Sequence, residues 1–237
     1  MSERLEATVS EGVLQLRRPG TEWLSTGWNG GRERAPAVYN VSVPEGWHCE
    51  RLAPYVEARL ERAGFDEAGP VLLTGVDLEH ARGARCGPVT AYATAGVSNP
   101  AALPMEPPGG ALPDGRVEPT AGTVNLVVFT TRALAAGALA NLVAAAAEAK
   151  AATLLAATGI PGTTTDAVVV GHDPDGRTGE FSGSATAVGA ATRACVRETV
   201  LASLRSRYGD LERAAEAASD APYGTSTDVE ASVVRLE

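Results

Sequence analysis

The segment from Gly122 to Gly171 constrains the fold of this chain more than any other. GTVNLVVFT at residues 122–130 is almost continuously apolar and β-branched, the composition of a strand covered on both faces. Residues 134–157 follow as a long alanine- and leucine-rich stretch that predicts a helix, and GIPG supplies the turn that ends it. TDAVVVG at 165–171 then reads as a second buried strand. A chain built around this unit needs a sheet with a long helix laid on it.

The flanking sequence supplies further elements. GVLQLR (12–17), TEWLSTGW (21–28) and AVYNVSV (37–43, stopped by Pro44) read as strands, with Asn29-Gly30-Gly31 as a tight turn. A helix follows, with Pro54 in its first turn, Leu52, Val56 and Leu60 on one face, and Gly64 at its C-cap. PVLLTGV (70–76) and PVTAYATA (88–95) are strand-like, HDPDGRTG is a polar turn, and 184–208 is a second long helix with a stripe of Val188, Ala191, Cys195 and Ala202. A short helix near 210–218 and a strand at 228–235 close the chain. Residues 100–122 hold six prolines and four glycines with no apolar period, a Pro/Gly-rich loop that either folds over a ligand or stays a solvated insertion. The expectation is an α+β (mixed α/β) fold: one domain over 1–237, with a mixed β-sheet and two long helices packed on it.

Bulk chemistry narrows the function. A net charge of −9 with scattered arginines argues against nucleic acid, which needs a concentrated basic surface. No window reaches the roughly 18–20 uninterrupted apolar residues of a membrane span. MSERLEATVSEG has neither a basic n-region nor an apolar h-region, so the expected location is cytoplasmic. Cys49, Cys86 and Cys195 are far apart, as are the three histidines, and no metal-ligand spacing exists, so no metal site is expected. The acidic excess fits a halophile's solvated surface, or a codon bias that also favours Ala, Gly and Arg.

Of the 20 basic residues, nineteen are arginine and one, Lys150, is lysine. Projected at about 100° per residue from Leu139, Lys150 falls at about 20°, inside the apolar stripe, and Glu148 at about 180°, on the far face. Its methylenes either pack on the core with the ammonium at the helix edge, or the ammonium is held in a cleft as a charge stabiliser, anion contact or base. Asp166, at the start of the next strand, is the expected partner.

Seven motifs run in order along the chain: NGG (29–31), YNVSVP (39–44), VTAYATAGVSNPA (89–101), GTVNLVVFT (122–130), ALANLVAAAAEAKAA (138–152), PGTTTDAVVV (161–170) and SGSATAVG (182–189). Together they resemble the adenosylcobinamide amidohydrolase family, from about residue 12 to 208. The 100–122 insertion departs from that pattern, as does Ser184-Ala185-Thr186 where glycine and threonine would alternate. The resemblance implies hydrolysis of the amide joining the 1-amino-2-propanol arm to the corrin ring, giving adenosylcobyric acid and aminopropanol in corrinoid salvage. The implied partner is a corrinoid small molecule, and no cofactor is required, because the cobalt comes with the substrate. A non-catalytic corrinoid-binding or delivery protein is the alternative.

The catalytic residues must come from the chemistry of amide cleavage, which needs a nucleophile, an oxyanion stabiliser and an acid for the leaving amine. Lys150 and Asp166 are the first candidates. Ser98, in the turn AGVSNP, and Thr123, after Gly122, are the hydroxyl candidates; direct attack by water with Asp166 or Glu148 as base is the third possibility. Asn29, Gly30, Gly31, Asn40, Asn99 and Asn125 are candidates to bind the corrin's peripheral amides. Thr163, Thr164, Thr165, Ser184 and Thr186 offer further hydroxyls and backbone donors.

Overall fold

A computed structural model describes residues 5–44, 47, 49–113 and 124–235. In chain order its elements are β1 (Glu6–Ser10), β2 (Val13–Arg17), β3 (Glu22–Ser25), β4 (Gly31–Arg34), β5 (Ala37–Ser42), α1 (Leu52–Ala63) and β6 (Val71–Thr74). A single 3-10 turn, Leu78–His80, leads into β7 (Arg82–Cys86), β8 (Val89–Thr94) and the two-residue β9 (Ala101–Ala102). Then come β10 (Asn125–Leu134), α2 (Ala136–Thr158), β11 (Ala167–Gly179), α3 (Ala187–Tyr208), α4 (Leu211–Ser219) and β12 (Thr225–Ser226).

The fold is α+β, but the main strands form two stacked sheets where the sequence suggested one, and β9 and β12 make a separate two-stranded sheet. The first has the order β1-β2-β5-β6 and the second β4-β3-β11-β10-β8-β7. Each is mixed: β5 pairs parallel with β6, and β10 parallel with β11, while the other pairs within the two sheets are antiparallel. Side-chain alternation assigns the layers. Leu14, Leu16, Val38 and Leu72 of the first sheet meet Trp23, Val127, Phe129 and Val169 of the second. Val13, Tyr39 and Val41 face the other way onto α1, and Leu126, Val128, Val168 and Val170 face α2, α3 and α4. The molecule is a helix, two sheets and a helical layer, in that order.

β10, α2 and β11 form the crossover that the 122–171 segment demanded. Gly159, in the left-handed conformation, ends α2. α2 is long and apolar enough to cross a membrane by length and mean hydropathy, although Asn141, Glu148 and Lys150 interrupt its apolar run. It is instead a core helix: Leu139, Leu142, Ala146 and Leu154 are buried in the cluster shared with β10, β11 and α3.

Several boundaries differ from expectation, each for a local reason. HDPDGRTG does not end β11. His172 pairs with Thr130, the residues between His172 and Arg177 bulge out, and pairing resumes at Arg177 opposite Arg132. The Asp173 carboxylate accepts from Asp175 N at 3.1 Å, so the turn chemistry is real but is spent inside the strand. Residues 228–235 form no strand; the last strand is β12, just before them. On α3 the buried stripe continues through Thr199, Ser203 and Leu204, and Ala202 lies only partly covered beside it. The 100–122 loop contains β9, and its residues 114–122 lie outside the described residues.

Candidate functional site

One end of the six-stranded sheet gathers most of the candidate residues. β10 and β11 begin there, while β8 and β3, which run antiparallel to them, finish there. Asp166 precedes β11, Val124 precedes β10, and the segment containing Ser98 and Asn99 follows β8. α2 returns from the far end of β10 and brings Lys150 back to this one.

Lys150 Nζ donates to Asp166 Oδ2, and the two side chains are 11% and 10% exposed. Asp166 is held by three more donors. Oδ1 accepts from Val124 N at 2.9 Å and from Thr163 Oγ1; Oδ2 also accepts from Thr163 N at 3.0 Å. A carboxylate has about four acceptor sites, and all four are engaged. Asp166 therefore anchors Lys150 and is poorly suited to take a proton from water. The ammonium has three donors, and among the described residues Asp166 is its one acceptor. Gly162 makes the pair possible, because a Cβ there would lie 2.8 Å from Asp166 Oδ2 and 3.4 Å from Lys150 Nζ.

The turn carrying Ser98 is stitched to the Asp166 segment. Thr164 N donates to Asn99 O at 3.2 Å and Ala101 N to Gly162 O at 2.9 Å. The Asn99 side-chain amide donates to Thr164 Oγ1 at 2.7 Å and Thr165 Oγ1 at 3.4 Å. Asn99, Thr163, Thr164, Thr165, Lys150 and Asp166 thus belong to one cluster, and Ser98 directly precedes Asn99 in the chain. Asn29 and Gly30 lie exposed in the β3–β4 turn at the same sheet end, and Gly31 opens β4.

Other candidates are placed elsewhere. Glu148 points away from the pair, as its helical angle requires, and meets Arg193 at 3.3 Å on the exposed surface of α2 and α3; it is not placed to act as a base here. Asn40 and Asn125 are 4% and 1% exposed and lie between the two sheets, not open to a ligand. Asn125 donates to Asn40 Oδ1 and to Leu73 O, both at 2.9 Å, and Asn40 donates to Thr94 Oγ1 at 3.0 Å. Their alternation on β5 and β10 turns them inward, where each secures one sheet to the other. Thr186 is the N-cap of α3, accepting from Gly189 N at 3.0 Å. With Ser184 it lines a cavity of about 620 Å³ at the first turns of α2, and Lys150 stands about three turns further along that helix. A second cavity of about 600 Å³ runs between α2 and α3; neither is lined by Lys150 or Asp166. Thr123 lies outside the described residues.

Among the described residues no three His, Cys, Asp or Glu side chains gather as metal ligands. Cys195 is no nucleophile: burial pushes its thiol up to about 11. Sequence reasoning missed Gly162 and the Val124 amide, since neither carries reactive chemistry. The TTTD run was the available signal, because threonines three, two and one before an aspartate are placed to bond it locally.

The sequence profile of the adenosylcobinamide amidohydrolases matches residues 2–212. The chain belongs to the adenosylcobinamide amidohydrolase family. An adenosylcobinamide amidohydrolase of Halobacterium salinarum is 61% identical over 233 residues, covering 97% of this chain and 99% of that one. One from Methanosarcina mazei is 29% identical over 196 residues, covering 78% of this chain and 91% of its own. Among solved structures, a Burkholderia sp. beta-aminopeptidase covers 94% of this chain and 90% of that one at 12% identity and a TM-score of 0.43, too distant to bear on fold or chemistry. As a member of the adenosylcobinamide amidohydrolase family the chain is an amide-hydrolysing enzyme, and the site must be read with that reaction in view.

Proposed function

We propose that this enzyme cleaves the amide between the 1-amino-2-propanol arm and the corrin ring of adenosylcobinamide. The products are adenosylcobyric acid and 1-amino-2-propanol, a step of cytoplasmic corrinoid salvage. The profile match over residues 2–212 carries this reading. The site's geometry supports it, because a nearly buried ammonium fixed by a fully engaged carboxylate suits charge developing on an amide oxygen. In this reading Lys150 donates to the amide oxygen as it becomes an oxyanion. Ser98 Oγ adds to the carbonyl carbon, its proton passes to the departing amine, and the resulting ester is hydrolysed by water. No resident metal takes part; the cobalt arrives within the substrate. The polar groups of the Asn29–Gly31 turn and of Thr164 and Thr165 face the corrin's peripheral amides.

The test is to incubate the purified enzyme with adenosylcobinamide and follow cobyric acid and aminopropanol by mass spectrometry. Stoichiometric release of both is expected, and none at high enzyme concentration would sink the proposal. Ser98→Ala should lower kcat by roughly a thousandfold or more, the usual scale for deleting a nucleophile. A rate within a few-fold of wild type would transfer the attack to water.

A further inference from the structure

The Ser98–Asn99 segment is held from two sides, and only one of them belongs to the candidate site. After the bend at Ser98–Asn99, residues 100–102 run extended, so their backbone groups point alternately to opposite edges. Asn99 O and Ala101 N face the Asp166 segment. The opposite edge carries Pro100 O and Ala102 O, which accept from Thr225 N at 2.8 Å and Thr227 N at 3.0 Å. Pro100 has no N–H to offer, so its carbonyl is what this edge presents. β9 and β12 accordingly pair in parallel, with Thr225 opposite Ala101. Gly224 permits the approach: its φ is +138°, and a Cβ there would lie 2.7 Å from Pro100 O and 3.0 Å from Pro100 Cδ. Further along, a Cβ on Gly110 would come within 3.3 Å of Asp228, so the same tail also meets the 103–113 segment. These tail residues lie beyond residue 212, where the family profile ends.

We infer that residues 224–228 are a clasp that positions the Ser98–Asn99 turn against the Lys150–Asp166 pair. The inference rests on the proposed reaction for its kinetic readout. With the clasp in place, residues 100–102 are bonded on one edge to the bridge at Thr163 and on the other to β12, which fixes them relative to Gly162 and Thr163. Without it that segment is an edge held by two backbone hydrogen bonds, and the turn shifts. A misplacement of about 1 Å at a reacting group costs up to roughly a hundredfold in rate. Gly224, Thr225 and Thr227 are positioning residues and touch no substrate.

The experiment compares the full chain with three variants: Thr225→Pro, which deletes one clasp donor; Gly224→Val; and a chain ending after Asp220, which keeps α4. Thr225→Ser, which keeps the backbone donor, is the control. The expected result is a fall in kcat of about ten- to a hundredfold in the three variants, KM within about twofold, and wild-type kinetics for Thr225→Ser. Wild-type kcat in Thr225→Pro overturns the clasp, and so does a rise in KM alone, which would make the tail a substrate contact. If the shortened chain does not fold, the two point variants decide. Hydrogen exchange gives a readout independent of the substrate: the Ala101 amide should lose protection in Thr225→Pro. If the wild-type enzyme releases no aminopropanol, the substrate reading fails, and the exchange result alone supports or overturns the clasp.

Discussion

Lys150 and Asp166 each set the conditions for the other. Removing Asp166 would strand a nearly buried ammonium, whose cost is of order 3–5 kcal/mol. Removing Lys150 is milder, because Asp166 keeps Val124 N, Thr163 N and Thr163 Oγ1. Lys150→Met should therefore fold while losing at least about a hundredfold in kcat, the scale for deleting one oxyanion donor. Gly162→Ala should act in the same sense, since its methyl would wedge against both members of the pair. Circular dichroism and kinetics on the same preparations check both, and a Lys150→Met chain with wild-type kcat would leave the ammonium a purely structural role. Glu148 differs: its ion pair with Arg193 is surface-exposed, worth at most about 1 kcal/mol.

Lys150 was legible because helical periodicity is the strongest pattern a sequence carries, and one lysine among alanines stands out against it. Asp166 was legible by its place before an apolar strand. The stacking of two sheets was not, because alternation says which side of a strand is apolar without saying what covers it. β1, β4 and β7 were missed for a related reason. All of β4 and most of β1 are exposed, GRER holds no apolar side chain, and RGARC offers only the small pair Ala84 and Cys86 between arginines. β11 was cut short because turn residues dominate DPDG, and only pairing with β10 turns that segment into a bulge. Its flank carries a second polar cluster at the far end of the sheet: His172 Nδ1 accepts from Leu134 N at 3.0 Å, and His172 Nε2 donates to Glu22 at 3.0 Å. Burial raises the Glu22 carboxyl, but hydrogen bonds from His172 and Arg32 more than offset it and leave it below its ordinary value. A carboxylate lowered on folding stabilises the native state above its unfolded value, about 4.3 for glutamate, and that contribution is lost as pH falls through the lower folded value. Between about pH 5 and pH 3 the wild-type thermal midpoint should therefore drop more steeply than that of Glu22→Gln. Parallel slopes would remove Glu22 from the acid response.

At the scale of the molecule the balance of charge sets how stability responds to salt. Twenty-nine acidic side chains stand against twenty basic ones, leaving a net −9 on the folded surface. Self-repulsion of that excess destabilises the compact state. Salt shortens its reach from about 10 Å at 0.1 M to about 3 Å at 1 M. Two terms oppose this. Surface pairs such as Arg193–Glu148 and Arg197–Glu198 weaken with salt, but exposed pairs contribute little at any ionic strength. Lys150–Asp166 is nearly buried and so is screened far less. Relief of repulsion should win, so the thermal midpoint should rise by several degrees between about 0.1 M and 2 M KCl, with kcat changing little over the same range. A midpoint that falls with KCl would mean that attractive surface pairs outweigh the net charge. A kcat that collapses while the midpoint rises would mean that the ammonium at the site is open to solvent ions, contrary to its burial against Asp166.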